Sequence, residues 1–489
     1  MSTTRTNASD LDVSVKHINV GLITAILVIS GFFCMLSETV LNMALASIME
    51  QFSVTAITAQ WLSTGYMLIM AVLIPVSAFF IQTIRTKLLY ELAMIFYILG
   101  TLICGFAPSF PLLFAGRIVQ AIGTGMLVPN IINTLLVINP VERRGKALGF
   151  FNLVMFFAPA IGPVLSGIVV QSLGWRWLFL GFLPFSSLVL IFGAIFLADV
   201  TQLTKPRLDI LSVMLSTIGF AGLLYGVSNI GGTNIALMVI PLFCGIFGLI
   251  VFSVRQLKLK EPMLDVRAFR YPMFTIGILL IIITQMVYFS SMLILPLFME
   301  VAMGLSAMTA GIIMLPGGLI NGVISPVVGV LYDKYGPRVL IFPGFILSTV
   351  VFFIFSQALS ATIAIPIVIL LHCLGLVAAG LIGTPTQTHS FNQLPPELYP
   401  HGTAISNTLQ QIGGAFGTAL MIAVMSAAQA GYFSAAGNSN AATQALGLMV
   451  GVKTSMLVSV AILIGGVILS FFFKHNHVQK PAQNRADGQ

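Results

Sequence analysis

Charge is what this chain has least of. Only 7% of its 489 residues are Asp, Glu, Lys or Arg, against about 25% in an ordinary soluble domain. A soluble protein of this length has too few such charges to cover its surface, so lipid is the solvent of most side chains. There is no GxxxxGK[ST] phosphate loop. Gly145-Lys146 is followed by Ala147 and lacks the upstream glycine, which argues against ATP as a power source. There is no CxxC pair either. Cys34, Cys104, Cys244 and Cys373 lie singly in apolar runs, so no disulfide is expected. No His/Cys/Asp/Glu cluster has metal-ligand spacing, and no nucleophile stands beside a base. No metal, no cofactor and no enzyme activity are therefore expected. The net charge of +8 sits in short loops and not on a soluble basic surface, so no nucleic-acid partner is expected.

What the chain has in quantity is apolar sequence: 58% of residues, with a mean hydropathy of +1.03. The runs are about 20 residues or more, the length of a membrane-spanning helix. Lipid forces the backbone to satisfy its own hydrogen bonds, and the short alternating segments of a barrel are missing. The fold class read from this is an all-α membrane protein. Charged and Pro/Gly-rich breaks divide it into fourteen spans: 18–47, 57–83, 88–106, 110–138, 146–171, 175–198, 209–229, 234–254, 272–299, 306–332, 337–357, 362–390, 399–428 and 450–473. The first is long, carries Glu38 and Asn42, shows no small-residue cleavage site, and is read as retained. With the N-terminal tail inside, all of the 22 Lys and Arg except Arg117, Arg176 and Lys453 fall on the inner side.

A weak repeat accompanies this pattern. Residues 78–87, ending the second span, correspond to 329–338, ending the tenth, and Gly145 before the fifth corresponds to Gly402 near the thirteenth. The offsets suggest two six-helix bundles with two helices inserted between them; chance likeness of short apolar turns is the alternative. The expected division is a cytoplasmic tail 1–17, a first bundle 18–198, an insert and linker 199–271, a second bundle 272–473 and a cytoplasmic tail 474–489. Parallel repeats of this kind mark transporters whose substrate site lies between the halves at mid-membrane.

Five positions, Gly329, Leu331, Asp333, Gly336 and Arg338, fit GxLxDxxGxR, the loop signature of the major facilitator superfamily. The glycines suit a tight turn, Asp333 suits the positive N-terminus of the next helix, and Arg338 suits a pair across the loop. In the first-half copy Gln82 replaces the acid and Arg85 the second glycine. Span four, with Arg117, Gln120, Gly123 and Gly125, resembles the superfamily's arginine motif, with Ala121 replacing a glycine. An arginine inside a span is costly unless paired or hydrated; the alternative is snorkelling at a helix end. Span five, with Pro159, Gly162, Pro163, Ser166 and Gly167, resembles the antiporter motif. Gly162 and Ser166 permit close helix contact, and the prolines favour a bend. Span one resembles LDxTxxNxAL, but Ser37 occupies the acid position and Glu38 comes one residue later, about 100° around the helix.

The chain thus resembles the superfamily's fourteen-helix branch of drug/proton antiporters, and within it lincomycin-resistance-type multidrug exporters. The resemblance implies a major facilitator fold of 14 transmembrane helices in the plasma membrane. It implies export of hydrophobic or cationic drugs in exchange for protons, by a monomer surrounded by membrane lipid. Glu38, Arg117 and Glu300 are the candidates for proton coupling, with a cationic drug and a proton competing at Glu38. Asn42, Tyr66, Phe156, Tyr288, Phe289 and Met292 are candidates for a substrate cavity, because aromatic and Met side chains re-pack easily; ordinary helix packing is their alternative. Rival readings are an exporter of an endogenous metabolite, lipid or peptide, and a non-transporting sensor, for which a soluble signalling module is missing.

The charge asymmetry places 139–146 inside and 429–451 outside. A single Cys at Ser434, in a background without native cysteines, is expected to react with an impermeant thiol reagent applied to whole cells. One at Val141 is expected to be protected. The reverse pattern overturns the fourteen-span arrangement.

Overall fold

Apolar runs of this length satisfy their peptide groups locally, and each has become helix. The computed structural model describes residues 19–473, apart from 55, 202, 205–208, 229–234, 260–261, 361 and 437–440. The expected tails 1–17 and 474–489 lie outside the described residues, as do the side chains of Asn42, Phe156 and Pro163. Among the described residues twelve helices are long and apolar enough to cross a membrane, and two further bent segments bring the number to 14 when each is one span.

The first bundle holds α1 (Val20–Thr39), α2 (Leu45–Phe52), α3 (Ala56–Thr83), α4 (Thr86–Gly105), α5 (Phe110–Ile138), α6 (Arg144–Ser172), α7 (Trp177–Leu180) and α8 (Leu183–Phe196). The inserted pair is α9 (Ile210–Ser228) and α10 (Ile235–Lys258). The second bundle holds α11 (Pro272–Val301), α12 (Ala307–Tyr335), α13 (Arg338–Ala358), α14 (Ile365–Asn392), α15 (Tyr399–Ala436) and α16 (Ala441–Phe471).

Span one is not one regular helix. A 3-10 turn, Val40–Ala44, separates α1 from α2 directly after Glu38 and Thr39. Its tighter winding changes the direction in which the side chains of α2 face. α6 bends by 46° between Val141–Pro159 and Val164–Ser172. The bend falls between Pro159 and Val164, and Pro163 in that stretch of the sequence has no N–H to give the helix ladder.

The end of the chain differs from expectation. Residues 429–451, read as a loop, belong largely to α15 and α16, which continue to Ala436 and start at Ala441. The segment is rich in Ala, a good helix former, so the helices extend where hydropathy fades.

The insert is tied to both bundles. α9 packs on α3 and α15, and Trp61 stacks on Tyr225 at 6.2 Å. Among the described residues two ion pairs form, Arg255–Asp209 at 2.6 Å and Arg267–Asp265 at 3.9 Å. The Arg255 guanidinium holds the Asp209 carboxyl down at about 2.

Glycines let α4 and α5 approach backbone to backbone in the first bundle. A Cβ on Gly123 would lie 2.5 Å from the Tyr97 amide and the Ala93 carbonyl, whereas one on Gly167 meets nothing within 4 Å. Gly123→Val is therefore expected to cost about 1–3 kcal/mol by overpacking and to lower the melting temperature in detergent. Gly167→Ala is expected to leave it unchanged. Equal melting of the two variants overturns this reading of the α4–α5 contact.

Candidate functional site

Arg117 is wholly buried (0% exposed) in the first bundle, and an ion is not tolerated there without partners. Its partners are mostly neutral. Nη1 donates to Gln120 Oε1 at 2.6 Å and to the Ser37 carbonyl at 3.3 Å. Nε donates to the Leu62 carbonyl at 3.4 Å, and the guanidinium lies 4.1 Å over the Tyr66 ring. Gln120 in turn donates to Ser37 Oγ at 2.9 Å and Thr101 Oγ1 at 2.8 Å. Arg117 Nη2 is buried without a hydrogen-bond partner. Glu38 is half-buried and close enough to Arg117 for their charges to interact, without forming a contact ion pair. Ser37 thus takes the polar network, and the displaced carboxylate lies beside it. Thr39, next in sequence, touches α6, because a Cβ on Gly162 would run into its hydroxyl. Ser166 Oγ donates to the Val40 carbonyl at 2.5 Å. Glu300 is exposed at the end of α11, a solvated position.

A second polar set closes the face that carries the basic loops. Asp333 Oδ1 accepts from the Gly145 amide and Oδ2 from the Lys146 amide, each at 2.9 Å. These are unsatisfied N–H groups at the start of α6, where the helix dipole also favours an anion. The next helix is the expected partner of Asp333; it reaches across to the other bundle instead. The approach requires glycine on both sides: a Cβ on Gly145 would lie 2.5 Å from the Gly329 carbonyl. Gly329 therefore serves helix contact, not a turn. Gly336 makes the turn, with φ of +79°, a region that side chains rarely adopt. Leu331 packs in a small cluster around Val328, Tyr332 and Leu340. Arg338 does not make the expected pair across the loop; its guanidinium lies 5.5 Å from the centre of the Phe471 ring.

Arg144 is a site residue that sequence reasoning missed. It donates to Asn392 Oδ1 at 3.0 Å and Tyr399 Oη at 2.7 Å, both in the second bundle. Position 401 is its counterpart under the sequence repeat, and His401 there meets Gln82 at 3.2 Å and accepts from the Asp265 amide at 3.0 Å. Gln82, which replaces the first-half acid, thus takes part in a neutral contact on the same face.

Between the bundles lies a cavity of about 130 Å³, smaller than the usual pocket of a drug-sized molecule, so a drug needs the bundles farther apart than they stand here. Phe151, Asn152, Met155 and Pro159 of α6 form one wall, and Tyr288, Phe289 and Met292 of α11 another. The Tyr288 hydroxyl is fixed by Ser348 at 2.6 Å and by the Gly375 carbonyl at 2.8 Å, so it presents its ring. Tyr66, expected here, is instead sealed beneath Arg117, with its hydroxyl on Thr124 Oγ1 at 2.7 Å. Sequence reasoning also missed the amides: Asn152 donates across to Thr384 Oγ1 at 2.9 Å and Gln387 Oε1 at 3.3 Å. Neither Glu38 nor Glu300 lines the cavity. A drug and a proton meeting at one carboxylate is therefore not the arrangement seen. The link is α6, which lines the cavity with Pro159 and packs Gly162 on Thr39.

Asp333→Asn removes the charge and one acceptor, and a charge-assisted hydrogen bond contributes about 1.5–3 kcal/mol. A single Cys at Asn152 in a cysteine-free background is expected to be shielded from a thiol reagent on the basic face. Adding Asp333→Asn is expected to raise its labelling rate severalfold at equal protein level. An unchanged rate reduces Asp333 to a helix-end ornament.

Comparison with known proteins shows the family. The family model of the Major Facilitator Superfamily matches residues 27–418. The chain is 46% identical over 453 residues to "Lincomycin resistance protein LmrB" of Bacillus subtilis, covering 92% of this chain and 94% of that one. It is 41% identical over 454 residues to the Listeria monocytogenes protein of the same name, covering 92% and 96%. The solved human organic anion transporter MFSD10 (TETRAN) shares the fold, with a TM-score of 0.62 at 12% identity over 92% of this chain and 99% of that one. The chain belongs to the major facilitator superfamily and is a multi-pass membrane transporter, not an enzyme.

Proposed function

We propose that this transporter exports hydrophobic or amphipathic drugs across the plasma membrane in exchange for protons. The observation that carries the reading is the cavity between the bundles, with its basic-face end held by Asp333 on α6. Relatives named for lincomycin resistance support the same cargo class. In this reading the basic face is cytoplasmic, as the positive-inside bias favours, and both termini lie there. The working unit is a monomer in lipid with bundles 18–198 and 272–473 and an insert and linker 199–271.

Glu38 is the coupling acid of the proposal. Its protonation removes the anion beside Arg117, whose Nη2 lacks a hydrogen-bond partner. The guanidinium then shifts, the break after α1 moves against Gly162, and the bend of α6 transmits this to the cavity wall at Pro159. Coupling is thus mechanical, through α6, and Glu300 is the reserve acid.

Cells making the chain are expected to export radiolabelled lincomycin, and a protonophore is expected to abolish the export. Glu38→Gln is expected to abolish pH-gradient-driven export while binding stays measurable; Glu38→Asp is expected to keep part of it. If the Gln variant transports drug and protons at the parent rate, Glu38 is not the coupling site, and Glu300→Gln is the variant to measure.

A further inference from the structure

The cavity contains no charge. Among the described residues that line it are Asn152, Gln285, Gln387, Asn407 and Gln410, with Thr284 and Tyr288, and neither an acid nor a base. The polar groups are amides set in an apolar wall whose softest parts are Phe289 and Met292, 41% and 37% exposed. Resting on the export reading, we propose that the cavity selects uncharged amphipathic molecules bearing carbonyl or hydroxyl oxygens. Asn407 is the donor that reads those oxygens.

The amides are not equivalent. Asn152 spends its NH2 on Thr384 and Gln387, across the bundles. Gln410 spends its own on Ser406 Oγ at 3.0 Å. Asn407 Nδ2 is buried and has no hydrogen-bond partner. A buried donor left unmade is costly, whereas one that finds an acceptor is not. An oxygen of a bound molecule removes that cost, and a molecule without an acceptor leaves it in place. This is the asymmetry by which a site built to hydrogen-bond its cargo rejects an analogue that lacks the partner group.

Charge is excluded by the same wall. A permanent cation entering the cavity gives up its hydration and meets no carboxylate, since Glu38 and Glu300 are elsewhere. The ring faces of Phe151, Tyr288 and Phe289 return only part of that loss. An ionisable amine enters as its free base, because shedding the proton in water costs less than burying the charge.

The test compares Nile red, an uncharged dye with a carbonyl acceptor, and ethidium, a permanent cation, in proteoliposomes under an imposed pH gradient. The parent protein is expected to move Nile red and to move ethidium at less than about a tenth of that rate. Asn407→Leu is expected to weaken Nile red binding by roughly five- to tenfold, the worth of one hydrogen bond. Asn407→Asp, nearly isosteric, is expected to lower Nile red transport and raise ethidium transport. Both variants are checked for the parent's size-exclusion profile before transport is read. If the parent moves both dyes alike, or Asn407→Leu binds Nile red as the parent does, the selectivity proposal is overturned and export stands. If the parent moves neither dye and no lincomycin, the export reading itself fails.

Discussion

One carboxylate holds two bundles together at the basic face. Asp333 receives the first two free amides of α6, and this contact exists only because Gly145 and Gly329 carry no side chains. A helix start is a fixed cluster of donors, and a carboxylate has the oxygens to take two of them at once. Around this point other polar groups cross between the halves: Arg144 to Asn392 and Tyr399, and His401 to Gln82. The cavity lies farther along the same helix.

α6 concentrates the working parts of the protein. From one end to the other it offers bare amides to Asp333, walls the cavity, bends by 46°, and packs Gly162 against the break after α1. Arg117 is held on the other side of that break by carbonyls, an amide and a ring face. Such a guanidinium is hydrogen-bonded on most sides in a site of low polarity, which makes it sensitive to any anion nearby.

Much of this was legible in the sequence. Spans were visible because lipid demands about 20 apolar residues in a row, and the loop signature around Asp333 because charge is so scarce elsewhere. Arg117 stood out for the same reason. What hydropathy could not give was facing and partnership. Tyr66 and Tyr288 look alike in their runs, yet one lies under Arg117 and the other lines the cavity. Asp333 was legible as an acid seeking a helix start, but which start is a matter of how two bundles meet. The cavity amides passed unnoticed because Asn and Gln inside spans leave no pattern of spacing. The helical reach of 429–451 was hidden because alanine is a helix former with modest hydropathy.

The meeting of Gly145 and Gly329 puts peptide against peptide. Side chains absorb small displacements by changing rotamer, but peptide planes have no such slack. A contact of this kind is either seated or lost, with no half-engaged geometry between. The movement that unseats it must therefore be a swing of whole helices, and the flexure it needs is supplied at a distance, in the kinked stretch between Pro159 and Val164. In the proposed export cycle this contact acts as a toggle, not as a valve with graded opening.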